Sequence, residues 1–415
     1  MVTGKGICFY CKVFHSPASH HVPEVKVNHK PKTRPMRRIA TMTFLLLMTC
    51  LSGAAMAADP VRIGAFVSAT GPASFLGDPE LKTLQMYVER INASGGVLGR
   101  PLELVHYDDG GSASEARNFA NRLLRRDRVD VLIGGSTTGT TMAALPLAQR
   151  ARVPMISMAG AVGITDPVRP WVFKTPQSDR MAARRILADM RDRGLTRIGL
   201  ISGTDGFGRS GREQTLAVAD RYGIEILADE TYGPQDTDMT AQLTRIRNTE
   251  GVQAVLNFGF GQGPAIVTRN YAHLEMDLPL YQSHGVASDR FLELAGEAAE
   301  GLRLPASALL VPDALPQDDP QKEVVQAYKS AYEARWDQSV STFGGYAYDA
   351  LMLVVQAIER AGSTDAEAVR QALESTRKFV GVTGVFHLTP EDHNGLEPAS
   401  FRLLEVRDGG WHLIN

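Results

Sequence analysis

Five hydroxyls crowd the segment Gly134–Pro146 (GGSTTGTTMAALP): Ser136, Thr137, Thr138, Thr140 and Thr141. Ahead of them, Val129–Ile133 (VDVLI) has the length and β-branched content of a buried strand, and Met142–Arg150 reads as a helix. A strand that turns through glycine and hydroxyls into a helix leaves the helix's first N–H groups free at the positive end of its dipole. Such a turn favours an anion, with Ser or Thr as further donors. The chemistry expected here is non-covalent, a grip on the carboxylate of a small molecule. The competing expectation is that the hydroxyls only cap the helix.

Other reactive-looking groups carry less. Gly206-Phe207-Gly208-Arg209-Ser210-Gly211 matches the G-x-G-x-x-G dinucleotide fingerprint, follows a strand, and has Asp229 after the next one. Gly203-Thr204-Asp205 intervenes, however, where the motif's first glycine should follow the strand almost directly. Gly259-Phe260-Gly261-Gln262-Gly263 is a poorer match. Asp108-Asp109, just before Ser112 and Ser114, reads as turn and cap chemistry rather than a metal site. His106, His387, His393 and His412 are scattered without ligand spacing. Ser157 and Ser283-His284 lack a nucleophile elbow and a nearby orienting acid. Asn92-Ala93-Ser94 fits a glycosylation acceptor, but its place at a helix end before two glycines is explained by capping. No catalysis, cofactor or metal is expected.

The elements around these residues alternate. Strands are expected at Val61–Val67, Leu102–Tyr107, Val129–Ile133 and Met155–Ser157, then at Arg197–Ser202, Glu225–Thr231, Ala254–Phe258 and Leu278–Gln282. Amphipathic helices fall between them, among them Leu81–Ala93, Ser114–Arg126, Met181–Arg193, Ser210–Tyr222, Thr240–Asn248 and Pro264–His273. The alternation predicts an α/β protein with two lobes, each a parallel sheet covered on both faces, the break falling near Phe173–Asp179. Ligands bind such sheets at the strand C-termini, where the loops are rich in glycine and isolated aromatics and poor in paired acids and bases. Helices at Gln321–Trp336, Tyr346–Ala361 and Asp365–Thr376 follow, then a hairpin, Phe401–Val406 and Trp411–Ile414, about Asp408-Gly409-Gly410. Phe343, Tyr346 and Tyr348 read as packing residues, one of which could reach the cleft.

Composition narrows the partners. Residues 1–57 hold 8 Lys+Arg and 1 acid, leaving 36 basic against 45 acidic residues in the remaining chain. An acidic body without a basic run argues against nucleic acid or an anionic membrane. From Met36, two arginines, the apolar run Phe44–Leu51 and Ala55-Met56-Ala57 form the three parts of a secretory signal, with cleavage expected after Ala57 and residues 1–35 set aside as an over-extended start or leader. The three cysteines, Cys8, Cys11 and Cys50, all precede that point. Cys8-x-x-Cys11 lacks a second ligand pair at finger spacing, and Thr49 suits lipidation of Cys50 poorly. A soluble periplasmic protein is expected.

From Val61 onward the chain resembles the periplasmic solute-binding proteins of branched-chain amino acid type ABC transporters, the Leu/Ile/Val-binding family. The resemblance is carried by Thr70-Gly71-Pro72 with Gly77-Asp78, by Ile91-Asn92-Ala93-Ser94-Gly95-Gly96, by Tyr107-Asp108-Asp109 and by Gly206-Phe207-Gly208, in that order. It implies the type I periplasmic binding fold: two Rossmann-like lobes with parallel-rich sheets, joined by a three-crossing hinge and closing on ligand. The crossings are expected near Thr175–Arg180, Arg303–Leu309 and Gly384–Leu388. The lobes would then be 58–177 plus 308–385 and 178–307 plus 386–415. It also implies that the first lobe holds a carboxylate through Thr137 or Thr138 and through Ala159, Gly160 and Ala161.

Two positions depart from the resemblance. Amino-acid-binding relatives place an acid and a tyrosine of the second lobe near the ligand's ammonium; matched by loop, these are His284 and Phe260, with Phe207 a further aromatic position and Phe75 a contributor from the first loop. An ammonium facing Phe and His with no carboxylate would be poorly satisfied. The expectation is therefore an aromatic or branched carboxylate rather than an amino acid, delivered by a monomer to an ABC permease and ATPase. The alternatives are branched-chain amino acid binding, or a ligand sensor of the same fold feeding a signalling partner.

Overall fold

The computed structural model describes Lys26 and residues 59–414. The expected signal, its cleavage point and all three cysteines lie outside the described residues. Val61–Val67 (β1), Leu102–Asp108 (β2), Val131–Gly134 (β3), Met155–Ser157 (β4) and Val172–Lys174 (β5) make one parallel sheet in the order β2-β1-β3-β4-β5. Ser74–Ala93 (α1), Ala113–Arg122 (α2) and Thr138–Ala151 (α3) alternate with its strands. The strands read as apolar runs rather than alternating ones because helices cover both faces: six of the seven β1 residues are buried.

A second sheet begins after Asp179–Asp192 (α4). Its parallel strands are Arg197–Gly203 (β6), Glu225–Tyr232 (β7), Ala254–Phe258 (β8), Leu280–Gln282 (β9) and Arg303–Ala306 (β10), in the order β7-β6-β8-β9-β10. Gly206–Ala219 (α5), Thr240–Asn248 (α6), Gln262–His273 (α7) and Asp289–Ala295 (α8) lie between them. Numbered from its own first strand, each sheet therefore has the same order, 2-1-3-4-5. In both, the strand order reverses between the first and third strands, and the crevice at that reversal is where open α/β sheets bind ligands.

Lys322–Trp336 (α9), Thr342–Ala361 (α10) and Ala366–Glu374 (α11) then return to the first sheet. Phe343, Ala347, Leu351, Val354 and Ile358 of α10 share a core with Ile63, Ala65 and Ile133. A two-residue-strand hairpin, Phe379–Val380 (β11) and Val385–Phe386 (β12), precedes Arg402–Arg407 (β13) and Gly410–Ile414 (β14). These last two add antiparallel strands to β10. Their turn residues Asp408 and Gly409 have φ of 51° and 68°, as a tight hairpin requires.

The structure departs from expectation in several places, among them the start of α1 at Ser74 rather than Leu81 and the added strands β11 and β12. β5 and β10 were not foreseen, because three or four residues give no periodicity to read. The helix expected from Met142 begins at Thr138, so three of the five hydroxyls belong to its first turn. The segment expected to cross at Gly384–Leu388 holds β12, and the chain reaches the second sheet through residues 387–401. The other passages between sheets are residues 175–178 and 307–321.

Gly211 of α5 lets that helix lie on β8, since a Cβ there would fall 1.9 Å from Phe258 Cδ1. Gly211→Ala is expected to destabilise the chain by about 1–3 kcal/mol through overpacking, read as a lower midpoint in urea unfolding.

Candidate ligand-binding site

The first-turn hydroxyls divide into caps and one free group. Thr137 is the N-cap of α3: its hydroxyl accepts the Thr140 N–H and its own N–H donates to Thr140 Oγ1, both at 3.1 Å. Thr141 Oγ1 lies 3.2 Å from the Gly135 carbonyl oxygen and 2.9 Å from Ser157 Oγ. Ser136 Oγ accepts the Ser68 N–H at 2.9 Å and donates to Glu80. Burial holds the Glu80 carboxyl well above the usual carboxylate range. Thr138 differs: its Oγ1 is buried and has no partner. Among the described residues no protein acceptor takes the N–H groups of Thr138 and Gly139 either. The capping expectation thus describes Thr137 and Thr140, whereas Thr138 presents a buried hydroxyl and an N–H without protein partners.

The loop after β4 supplies a second set. Ala159 N–H donates to Ser157 Oγ at 3.1 Å and Val162 N–H to Asp179 at 3.0 Å, while the N–H groups of Gly160 and Ala161 between them have no protein acceptor. Thr137, Thr138, Ala159 and Gly160 line a cavity of about 40 Å³, well below the roughly 300–1,000 Å³ of ligand sites. Ser136, Leu76, Met158, Pro176, Phe343 and Tyr346 complete that wall. Phe343 and Tyr346, read from sequence as packing residues, both reach it; Tyr348 instead packs edge-on against Tyr87 and Tyr328.

Phe207, Phe260, His284 and Gly285 line the cavity from the second sheet. Phe207 stands edge-on to Phe260 and to His284, with centroids 6.2 and 5.2 Å apart. His284 is 3 % exposed, and neither ring nitrogen has a partner of hydrogen-bonding geometry. Burial, then the Lys174 charge, push its pKa down to about 3 against a smaller pull from the Gln177 backbone, so the ring is neutral at physiological pH. The close approach of the two walls depends on Gly160, where a Cβ would meet His284 Nε2 and Phe207 Cε2 at 2.9 Å. Phe75 and Ala161 do not line the cavity. Phe75 packs outside it against Phe260 and Phe343, at 6.1 and 5.6 Å, and Ala161 is buried in the loop without reaching the lining.

No acidic side chain lines this space. Asp205, beside its mouth, caps α5 by accepting from Phe207 N–H at 2.8 Å and Gly208 N–H at 3.1 Å. The amides that a dinucleotide phosphate would use are therefore already taken, and Gly208 and Gly211 serve helix packing on Gly203 and Phe258. Asp108 and Asp109 hold turns: Asp108 accepts from Thr70 and Gly110, Asp109 from Ser68 and Gly111. Asn92 docks α1 by a two-way bond to the Leu102 backbone instead of capping the helix. Among the described residues no group of three His, Cys, Asp or Glu could hold a metal, and no helix is long and apolar enough to cross a membrane.

Two facing crevices with an enclosed cavity between them define a class of two-sheet binding proteins, and comparison with known proteins agrees. The chain belongs to the periplasmic binding protein family, whose sequence model matches residues 60–410. It is 26% identical over 381 residues to the leucine-, isoleucine-, valine-, threonine- and alanine-binding protein of Pseudomonas aeruginosa, covering 91% of this chain and 96% of that one. An extracellular ligand-binding receptor from Rhodopseudomonas palustris HaA2 superposes with a TM-score of 0.80 at 28% identity, over 86% of this chain and 99% of that one. The fold is also that of LivJ from Streptococcus pneumoniae, solved with isoleucine: TM-score 0.75, 24% identity, 86% and 99% covered. These are type I periplasmic binding folds, and this chain shares theirs.

The division between cap and free hydroxyl is measurable in the unliganded protein. Thr137→Val is expected to lower stability by about 0.5–2 kcal/mol through loss of the cap. Thr138→Val removes a hydroxyl without a partner and should leave the thermal midpoint unchanged or raised.

Proposed function

We propose that this chain is the solute-capturing component of an ABC importer, and that its cavity takes a small carboxylate with an apolar body. Two lobes, 58–177 plus 308–385 and 178–307 plus 386–415, would close on it as a monomer in the periplasm after cleavage behind Ala57. The observation that carries this reading is the pairing of unpartnered groups across one cavity: Thr138 Oγ1 and free amides on one wall, and His284 with two aromatic rings on the other. A carboxylate satisfies the first set, and its body buries against the second. Closure follows because only the closed form offers both walls at once.

The specificities named for the relatives, leucine, isoleucine and valine among them, favour a branched-chain amino acid as that carboxylate. The neutral imidazole accepts one ammonium hydrogen and the ring faces attract a cation. A second reading rests on the absence of any acidic side chain among the lining residues: an aromatic or branched acid without the amine would leave no buried ammonium uncompensated, and His284 would meet a distal hydroxyl or carbonyl.

A thermal-shift panel of leucine, isoleucine, valine, 4-methyl-2-oxopentanoate, benzoate and 3-phenylpropanoate separates the two, because a bound ligand raises the midpoint by mass action. At least one acid is expected to shift it. For that compound Thr138→Val should weaken binding by about 1–3 kcal/mol in calorimetry, the cost of a hydrogen bond to a charged group. His284→Ala should change the rank order of the panel. Wild-type affinity and ranking in both variants would refute the assignment.

A further inference from the structure

We propose that Lys174, which does not itself line the cavity, is the residue that makes this site select a carboxylate over an uncharged or cationic head group. The proposal rests on the carboxylate reading above. Lys174 ends β5 and is 1 % exposed. Its Nζ donates to the Gly160 carbonyl at 3.0 Å and reaches the Ala161 carbonyl at 3.4 Å. The Gly160 carbonyl also accepts the Asp179 N–H at 3.1 Å. In a planar trans peptide the carbonyl and the N–H point opposite ways, so the Ala161 N–H on that peptide is turned away from Lys174. The lysine thereby orients the very segment whose amides lack protein acceptors.

The charge is as specific as the orientation. Asp179, the nearest acid along the chain, spends one oxygen on the Val162 and Arg180 N–H groups. The field of Lys174 still reaches the far wall, where it opposes protonation of His284. An ammonium placed in that cavity meets the same opposition, and a carboxylate meets the reverse. Lys174 is also tied to the passages between the sheets: its N–H donates to the His393 carbonyl at 3.1 Å, and Asn394 Nδ2 donates to the Lys174 and Pro176 carbonyls at 3.3 and 2.9 Å. It is a positioning residue, set where the chain leaves the first sheet.

The charged and titratable groups that face it are Asp179 on α4, Asp392 in the 387–401 passage and neutral His284 after β9. Burial pushes Lys174 down to about 8 against the pull of the two aspartates. Carboxylate affinity should therefore be flat below that value and fall as pH rises through it.

The test is calorimetry on acid and amide pairs, benzoate with benzamide and 4-methylpentanoate with 4-methylpentanamide, in the wild-type chain, Lys174→Met and Lys174→Gln. The wild type is expected to prefer the acid, and either substitution to cut that preference roughly tenfold while amide affinity stays within about twofold. The fall in acid affinity at alkaline pH should vanish with the lysine. An unchanged acid-to-amide ratio in a folded variant, or an equal loss for acid and amide, would overturn the proposal. Should neither variant fold, a flat wild-type pH profile overturns it. If no acid binds the wild-type chain, the carboxylate reading itself fails and this inference fails with it.

Discussion

Everything in this structure turns on peptide N–H groups that the fold leaves without protein partners beside one cavity. Buried amides ordinarily find an acceptor. Here that of Thr138 has none because it opens a helix, and those of Gly160 and Ala161 have none in a loop whose Gly160 carbonyl is held by Lys174 and whose Val162 N–H is held by Asp179. In the function proposed above, a carboxylate supplies the missing acceptor. The neighbouring polar groups are already paired or neutral: Thr137 with Thr140, Ser136 with Glu80, Asp205 with its own helix.

Topology places the opposite wall. Because each sheet has the order 2-1-3-4-5, each has one crevice between its first and third strands. The first crevice contributes Thr138; the second contributes Phe207 after β6 and Phe260 after β8. His284 enters from the loop after β9, one strand further along. The same architecture serves relatives whose names carry aliphatic amino acids. On the second wall this chain has an uncharged imidazole and two phenyl rings.

Much of this was legible in the residues. Apolar runs alternating with amphipathic segments define parallel sheets, and the glycine- and hydroxyl-rich loops mark their ligand rim. The strands that escaped notice, β5 and β10, are too short to show a period. The onset of α3 was misplaced because Thr138, Thr140 and Thr141 are β-branched and weak helix formers, and it is the Thr137–Thr140 box that starts the helix. Sequence could name five hydroxyls but not single out Thr138, since a free hydroxyl is recognised only after its neighbours have been paired. Lys174 was invisible for the same reason: nothing in VFKT tells that its Nζ reaches a loop fourteen residues earlier. Phe343 and Tyr346 looked like core because α10 is buried along most of its length. They are core, and one end of that core is the cavity.

The most direct measurement is a crystal structure of the chain with whichever acid of the panel binds it most tightly. The account predicts the carboxylate oxygens within hydrogen-bonding distance of Thr138 Oγ1 and of the free amides of Thr138 and Gly160, with the apolar body between Phe207 and Phe260. A carboxylate turned toward those rings, or a ligand seated outside this cavity, would contradict it.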